Sequence, residues 1–159
     1  MMQYQLATDY LPHETPMVML QDVHLVDNEN CICSVQVSTE SVLAPFLNKQ
    51  SALPNYYAIE LMAQTIGVWN GYHGLKTNHK TQLGMLLGGR AIKLTVSEFP
   101  LGSLLIIHAK LILHDNKLAS FECELKVDDI CLASGRLNVY EPDESEMAML
   151  FGEHRLGEK

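Results

Sequence analysis

Leu53-Pro54-Asn55-Tyr56-Tyr57-Ala58-Ile59-Glu60-Leu61-Met62-Ala63-Gln64-Thr65-Ile66-Gly67-Val68-Trp69-Asn70-Gly71-Tyr72 is the stretch on which the fold turns. Ile59, Met62, Ala63, Ile66, Trp69 and Tyr72 recur at helical spacing, and Pro54 followed by Asn55 is a helix-start signal. The pattern predicts a helix over 56–75, weakening at Gly71 and Gly74. It is apolar on nearly every side, which predicts a buried helix rather than an amphipathic one.

On both sides of this helix the period changes to two. Ahead of it, an apolar run over 17–26 and the alternation of Cys31, Cys33, Val35 and Val37 predict two antiparallel strands turned at Asp27-Asn28-Glu29-Asn30. Residues 38–54, with Pro45, Asn48 and Pro54, read as a loop. Behind the helix, alternation over 90–97, 105–113, 120–127 and 131–139 predicts four more strands, with turns at Asp115-Asn116 and Asp128-Asp129. A short acidic helix is expected over 143–151. Half-apolar strands and one apolar helix satisfy each other if the sheet wraps around the helix. The fold class is therefore α+β, one domain over 1–159, with its core over about 10–140 and an acidic tail over 141–159.

The chain of 159 residues is 47% hydrophobic and 19% charged, a globular composition long enough for a core without disulfides or structural metals. Its net charge of −8 removes the usual electrostatic source of nucleic-acid binding. No uncharged apolar stretch is long enough to span a membrane, and no secretory leader is evident, so a cytoplasmic protein is expected. Cys31, Cys33, Cys123 and Cys131 form no Cys-x-x-Cys pair and no metal-ligand spacing with histidine, so neither a metal nor a cofactor is expected. Cys31 and Cys33 point to one face as small buried hydrophobes.

Glu60 is the one acid of the helix, set among Ile59, Leu61, Met62 and Ala63. Burying an ionised carboxylate costs several kcal/mol, so the position calls for a function or a partner. A general acid with a raised pKa is one reading; a structural carboxylate at a helix–helix contact, or one reaching solvent, is the other. Gln64, one turn on, can orient Glu60. The helix start after Pro54 brings free N–H groups at Asn55 and Tyr56 and the positive end of the helix dipole, which either polarise a substrate carbonyl or are simply capped. His13 lies between Pro12 and Pro16 and reads equally as a base or a surface group. His73, roughly 20 Å along the helix from Glu60, is too far to share a site with it. His79, His108, His114 and His154 read as solvated surface groups.

Leu11-Pro12-His13 with Pro16, Glu60-x-x-Ala63-Gln64 six residues after Pro54, and Phe99-Pro100-Leu101-Gly102 together resemble the hotdog-fold 3-hydroxyacyl-[acyl-carrier-protein] dehydratases, in particular the ApeP-like branch of aryl polyene biosynthesis. The resemblance spans roughly 10–140. It implies an antiparallel sheet around one long helix, Glu60 as the catalytic acid, and removal of water from a 3-hydroxyacyl thioester carried by an acyl carrier protein. Such a carrier is acidic, so Arg90 and Lys93, or Lys76 and Lys80, are the cations available to meet it.

The departures from the family are also legible. Its catalytic histidine, fourteen residues ahead of the glutamate, falls on Phe46, or on Pro45 if the phenylalanines are aligned. Its helix-start glycine is Asn55, and its first-strand aspartate falls on Gln21. In that family the site is shared across a dimer. The resemblance thus implies a homodimer or a heteromer with a second hotdog subunit whose histidine completes the site, with His13 as the fallback base. A hotdog thioesterase, which needs no such histidine, and a noncatalytic subunit are the alternatives.

Overall fold

The computed structural model describes residues 4–11, 17–76, 85–115 and 117–140, without the side chains of Leu75, Lys76 and Met85. One long helix, α1 (Tyr57–Lys76), lies against a six-stranded antiparallel sheet. The strands are β1 (Asp22–Val26), β2 (Asn30–Gln36), β4 (Met85–Leu94), β6 (Leu104–Asp115), β7 (Leu118–Val127) and β8 (Ile130–Tyr140). Their order is β1-β2-β6-β7-β8-β4. A two-residue pair, β3 (Leu53–Pro54) with β5 (Glu98–Phe99), forms a second small sheet at the start of the helix.

The alternation read from the sequence sets the inner face of the sheet. Cys31, Cys33 and Val35 of β2, Leu105, Ile107 and Ala109 of β6, and Phe121, Cys123 and Leu125 of β7 are buried against α1. Leu61, Met62, Ile66 and Trp69 of the helix enter the same core. The predicted turn at Asp27 forms: its carboxylate accepts from the N–H groups of Glu29 (2.8 Å) and Asn30 (2.7 Å). These bonds hold the carboxyl of Asp27 below its usual range. Asp128 and Asp129, at φ 51° and 65°, close the β7–β8 hairpin in the left-handed region that a two-residue turn demands.

Several expectations are corrected. The apolar run over 17–26 pairs only from Asp22; Val18, Met19 and Leu20 are buried as irregular chain laid over the helix. The loop over 38–54 contains a single 3-10 turn at Ala44–Phe46 and ends in β3. The strand expected over 90–97 runs instead over Met85–Leu94, with bulges that put Ala91 at φ 56°. The helix is not buried all round. Ile59, Glu60, Ala63, Gly67 and Asn70 are only partly covered, because one sheet can wrap only one side of a helix. The acidic helix over 143–151 lies outside the described residues, as do His13, His79, Lys80 and His154.

Candidate active site at the start of the central helix

The half-covered face of α1 carries Glu60, and Gln64 fixes it there. Gln64 is 1% exposed and uses its whole amide. Its Oε1 accepts from the N–H of Met19 (2.8 Å), while Nε2 donates to the carbonyl of Met17 (2.9 Å) and to Oε1 of Glu60 (3.0 Å). One side chain thus clamps residues 17–19 onto the helix and presents the neighbouring carboxylate. The spacing of four residues puts both groups on one helical face. Glu60 itself is only half-buried in the single chain.

The N-terminal segment reaches the same face. A Cβ on Gly71 would overlap the carbonyl oxygen of Tyr10, and one on Gly67 would stand 2.8 Å from Cδ2 of Leu11. Small residues in the helix therefore let residues 10–11 lie against it. The segment that holds His13 begins at this contact and ends at Met17, which Gln64 holds.

At the helix start, Asn55 does not offer a free N–H, contrary to expectation. Its N–H donates to the carbonyl of Ser97 (3.1 Å), and its side-chain Nδ2 donates to the carbonyl of Val96 (2.9 Å). Asn55 thereby ties the helix start to the chain between β4 and β5, while its own carbonyl accepts from Ala58. What remains for a ligand is the N–H of Tyr56, the first turn of the helix and its dipole. Pro54 is fixed by pairing with Glu98, whose Oε1 accepts from Nδ2 of Asn48 (2.9 Å). The exposed ring of Tyr56 stacks on Tyr57 at 4.7 Å between centroids, and Tyr57 meets Phe46 edge-on at 5.4 Å. Burial, the charge of Tyr56 and a hydrogen bond to it raise the Tyr57 hydroxyl above its ordinary range.

The described histidines all have other engagements. His73 and the indole Nε1 of Trp69 both bond the carbonyl of Asp27, at 2.9 and 3.0 Å. His24 bonds Oγ of Ser34 (2.7 Å), and the ring of His114 stands edge-on to Trp69. His108 is half-buried rather than solvated, with Nε2 2.8 Å from Oδ1 of Asn30, and loss of solvent lowers its pKa below the ordinary 6.5. The sequence reading missed this because the partner comes from the β1–β2 turn, 78 residues away. Positions 45 and 46 hold proline and phenylalanine, as the sequence shows. Cys31 and Cys33 are buried with sulfurs 3.9 Å apart. Burial pushes the Cys31 thiol far up and that of Cys123 up to about 12. Among the described residues no group of three His, Cys, Asp or Glu could hold a metal, and no helix is long and apolar enough to cross a membrane. Arg90 and Lys93 are exposed on β4, and neither makes an ion pair among the described residues.

Comparison with known proteins fits this geometry. The sequence profile of the ApeP-like family, described as ApeP dehydratase, matches residues 5–150. A solved structure, the dehydratase heterocomplex ApeI:P from Xenorhabdus doucetiae, contains a chain 45% identical to this one, superimposing with a TM-score of 0.88 over 94% of this chain and 99% of that one. A curated 3-hydroxyacyl-[acyl-carrier-protein] dehydratase FabZ from Acinetobacter baumannii is 22% identical over 139 residues, 87% of this chain and 94% of the relative. A hypothetical thioesterase from Streptococcus pneumoniae, solved with coenzyme A, has a TM-score of 0.59 at 12% identity over 76% of this chain and 86% of that one, which speaks to the fold alone. With a match that spans the clamped Glu60 and both halves of the sheet, the chain belongs to the ApeP-like dehydratase family and is a hydro-lyase of hotdog fold.

Proposed function

We propose that this chain is the acid-bearing subunit of a heteromeric dehydratase that removes water from a 3-hydroxyacyl thioester on an acyl carrier protein. The observation that carries this reading is the Glu60–Gln64 pair: a carboxylate held at 3.0 Å on the uncovered helix face, with no described histidine beside it. The similarity to a chain of a dehydratase heterocomplex supports the heteromer, and the FabZ relatives support the substrate class.

In the proposed reaction a histidine of the second subunit takes the proton at C2. The electrons of the C2–H bond form the C2–C3 double bond, and the C3–O bond breaks. Glu60, protonated, gives its proton to the departing hydroxyl, which leaves as water. The first turn of α1, from Tyr56, polarises the thioester carbonyl while negative charge builds there. Gln64 holds the carboxyl in place between turnovers. The second subunit has a natural seat on β4, a ten-residue edge strand that pairs with β8 and with no second strand among the described residues. Open edges of this length seek a partner.

A second reading has one observation in its favour. Leu11 and Met17, on either side of His13 in the sequence, both meet the helix face that bears Glu60, at Gly67 and at Gln64. His13 lies in the sequence between these two contacts, which makes it the candidate for an internal base. The test is mass spectrometry of a 3-hydroxyacyl carrier protein treated with this chain alone and with the second hotdog subunit added. Water loss only in the mixture, abolished by Glu60→Gln, supports the shared site. Water loss by the chain alone, abolished by His13→Ala, supports the internal base. Full activity of a complex carrying Glu60→Gln refutes both and leaves a noncatalytic subunit.

A further inference from the structure

The β4 side of the sheet carries charge of one sign. β4, of ten residues, and its neighbour β8, of eleven, hold Arg90, Lys93 and Arg136 and no aspartate or glutamate, in a chain of net charge −8. A bulge turns all three cations to one face. Residues three apart in a regular strand point to opposite faces. Here the register shifts between Arg90, which pairs with Arg136, and Lys93, which pairs with Ser134. Arg136 and Ser134 are two apart on β8 and share a face, so Arg90 and Lys93 share it too. The extra residue is taken up with Ala91 at φ 56°, a left-handed conformation that is costly to a residue with a Cβ.

Arg90, Lys93 and Arg136 line a groove of about 580 Å³ on the outer face, with Ser134, Glu122 and Glu124. Both carboxylates already have partners: Glu122 accepts from Arg136 (3.3 Å), and Glu124 stands 3.9 Å from Nζ of Lys126. Arg90 and Lys93 make no ion pair among the described residues. The cross-strand neighbour of Arg90 is the like charge of Arg136, an arrangement that destabilises a sheet unless a counter-charge is supplied. Among the described residues β4 pairs only with β8, and its other side is the seat proposed above for the second subunit. Were that subunit a second copy, two-fold symmetry would set β4 against β4. The four strands at the seam would then carry three cations from each copy and no carboxylate, at strand spacings of about 5 Å. Glu122 and Glu124 of each copy lie on β7, the third strand from the seam, and are already paired. A non-identical subunit with Asp or Glu on the outer face of its facing strand removes the repulsion and matches Arg90 and Lys93. We infer that β4 selects its partner by charge, pairing with an acidic edge strand of a second, non-identical hotdog subunit and rejecting a copy of itself. This rests on the heteromeric reading and adds to it the chemistry of the partner's edge.

Assembly rather than turnover is the readout, which keeps the outcome separate from the role of Glu60. By sedimentation velocity at about 0.01 M salt, the full chain should bind a copy carrying Arg90→Glu and Lys93→Glu about tenfold more tightly than either protein binds itself. The gap should close near about 1 M salt. With the second hotdog subunit of the dehydration assay, the same double reversal should weaken assembly about tenfold, and Arg90→Gln with Lys93→Gln should weaken it less. A mixture no tighter than either protein alone, or a complex indifferent to the reversal, overturns the inference. A lower Tm of the isolated chain carrying the two glutamines would place the counter-charge within this chain and overturn it as well. Assembly that responds to these charges while a Glu60→Gln complex keeps full activity supports the inference and refutes only the catalytic reading.

Discussion

Replacing Gln64 with Met keeps the length and shape of the side chain and removes its amide. Three hydrogen bonds disappear, and they are not equal. The N–H of Met19 belongs to a residue 2% exposed and is left with no acceptor, which costs about 1–3 kcal/mol. The carbonyl of Met17, in a residue 56% exposed, and the half-buried carboxylate of Glu60 can turn to water, so each adds at most about 0.5 kcal/mol. The loss is thus about 1–4 kcal/mol, a fall of about 2–4 °C in Tm for each kcal/mol in a domain of this size. Urea unfolding of the purified chain checks it. The same change frees the carboxylate, so kcat of the assembled dehydratase should fall about tenfold while KM stays nearly constant. Because Gln64 acts through Glu60, it should add nothing once Glu60→Gln is present. A stability loss under about 0.5 kcal/mol, or a folded variant with unchanged kcat, would refute the clamp.

Glu60→Gln should lower kcat of the complex by about 10²–10⁴-fold and shift chain stability by less than about 0.5 kcal/mol, as the neutral group still accepts the Gln64 bond; kinetics and melting on one preparation check both. Gly71→Ala should destabilise by about 1–3 kcal/mol despite alanine's helix propensity, because its methyl overlaps the carbonyl of Tyr10; a rise in Tm would contradict the packing of residues 10–11 on the helix. Asp129→Gly, at φ 65°, should raise stability by about 0.5 kcal/mol in urea unfolding. Since the pKa of His108 is lowered by folding, the unfolded chain binds its proton first. Stability from this group is therefore present above pH 6.5 and is lost as pH falls below that value, and His108→Gln should flatten urea midpoints measured between pH 7.5 and 5.

Period alone separated α1 from the strands, because a buried helix and half-buried strands leave different spacings in the chain. The β1–β2 turn was legible for the same local reason, as Asp27 bonds residues two and three places on. Glu60 stood out as an acid among apolar neighbours, and Gln64 as its partner four residues later. Long-range contacts wrote no such mark. Nothing near Asn55 announces that its N–H is taken by Ser97, or that Asn30 removes His108 from solvent. The two short strands β3 and β5 are each too brief to alternate, and only their pairing reveals them.

What the sequence by itself determined is the order and type of the main elements, the acid on the helix, and the absence of a histidine at positions 45 and 46. Tertiary structure alone decided which face of α1 is only partly covered, that Gln64 spends its whole amide on the clamp, and that β4 pairs only with β8 among the described residues. The reason is physical. Periodicity records how much of each side chain is buried, whereas hydrogen bonds between residues 45 or more positions apart exist only once the sheet has closed on the helix.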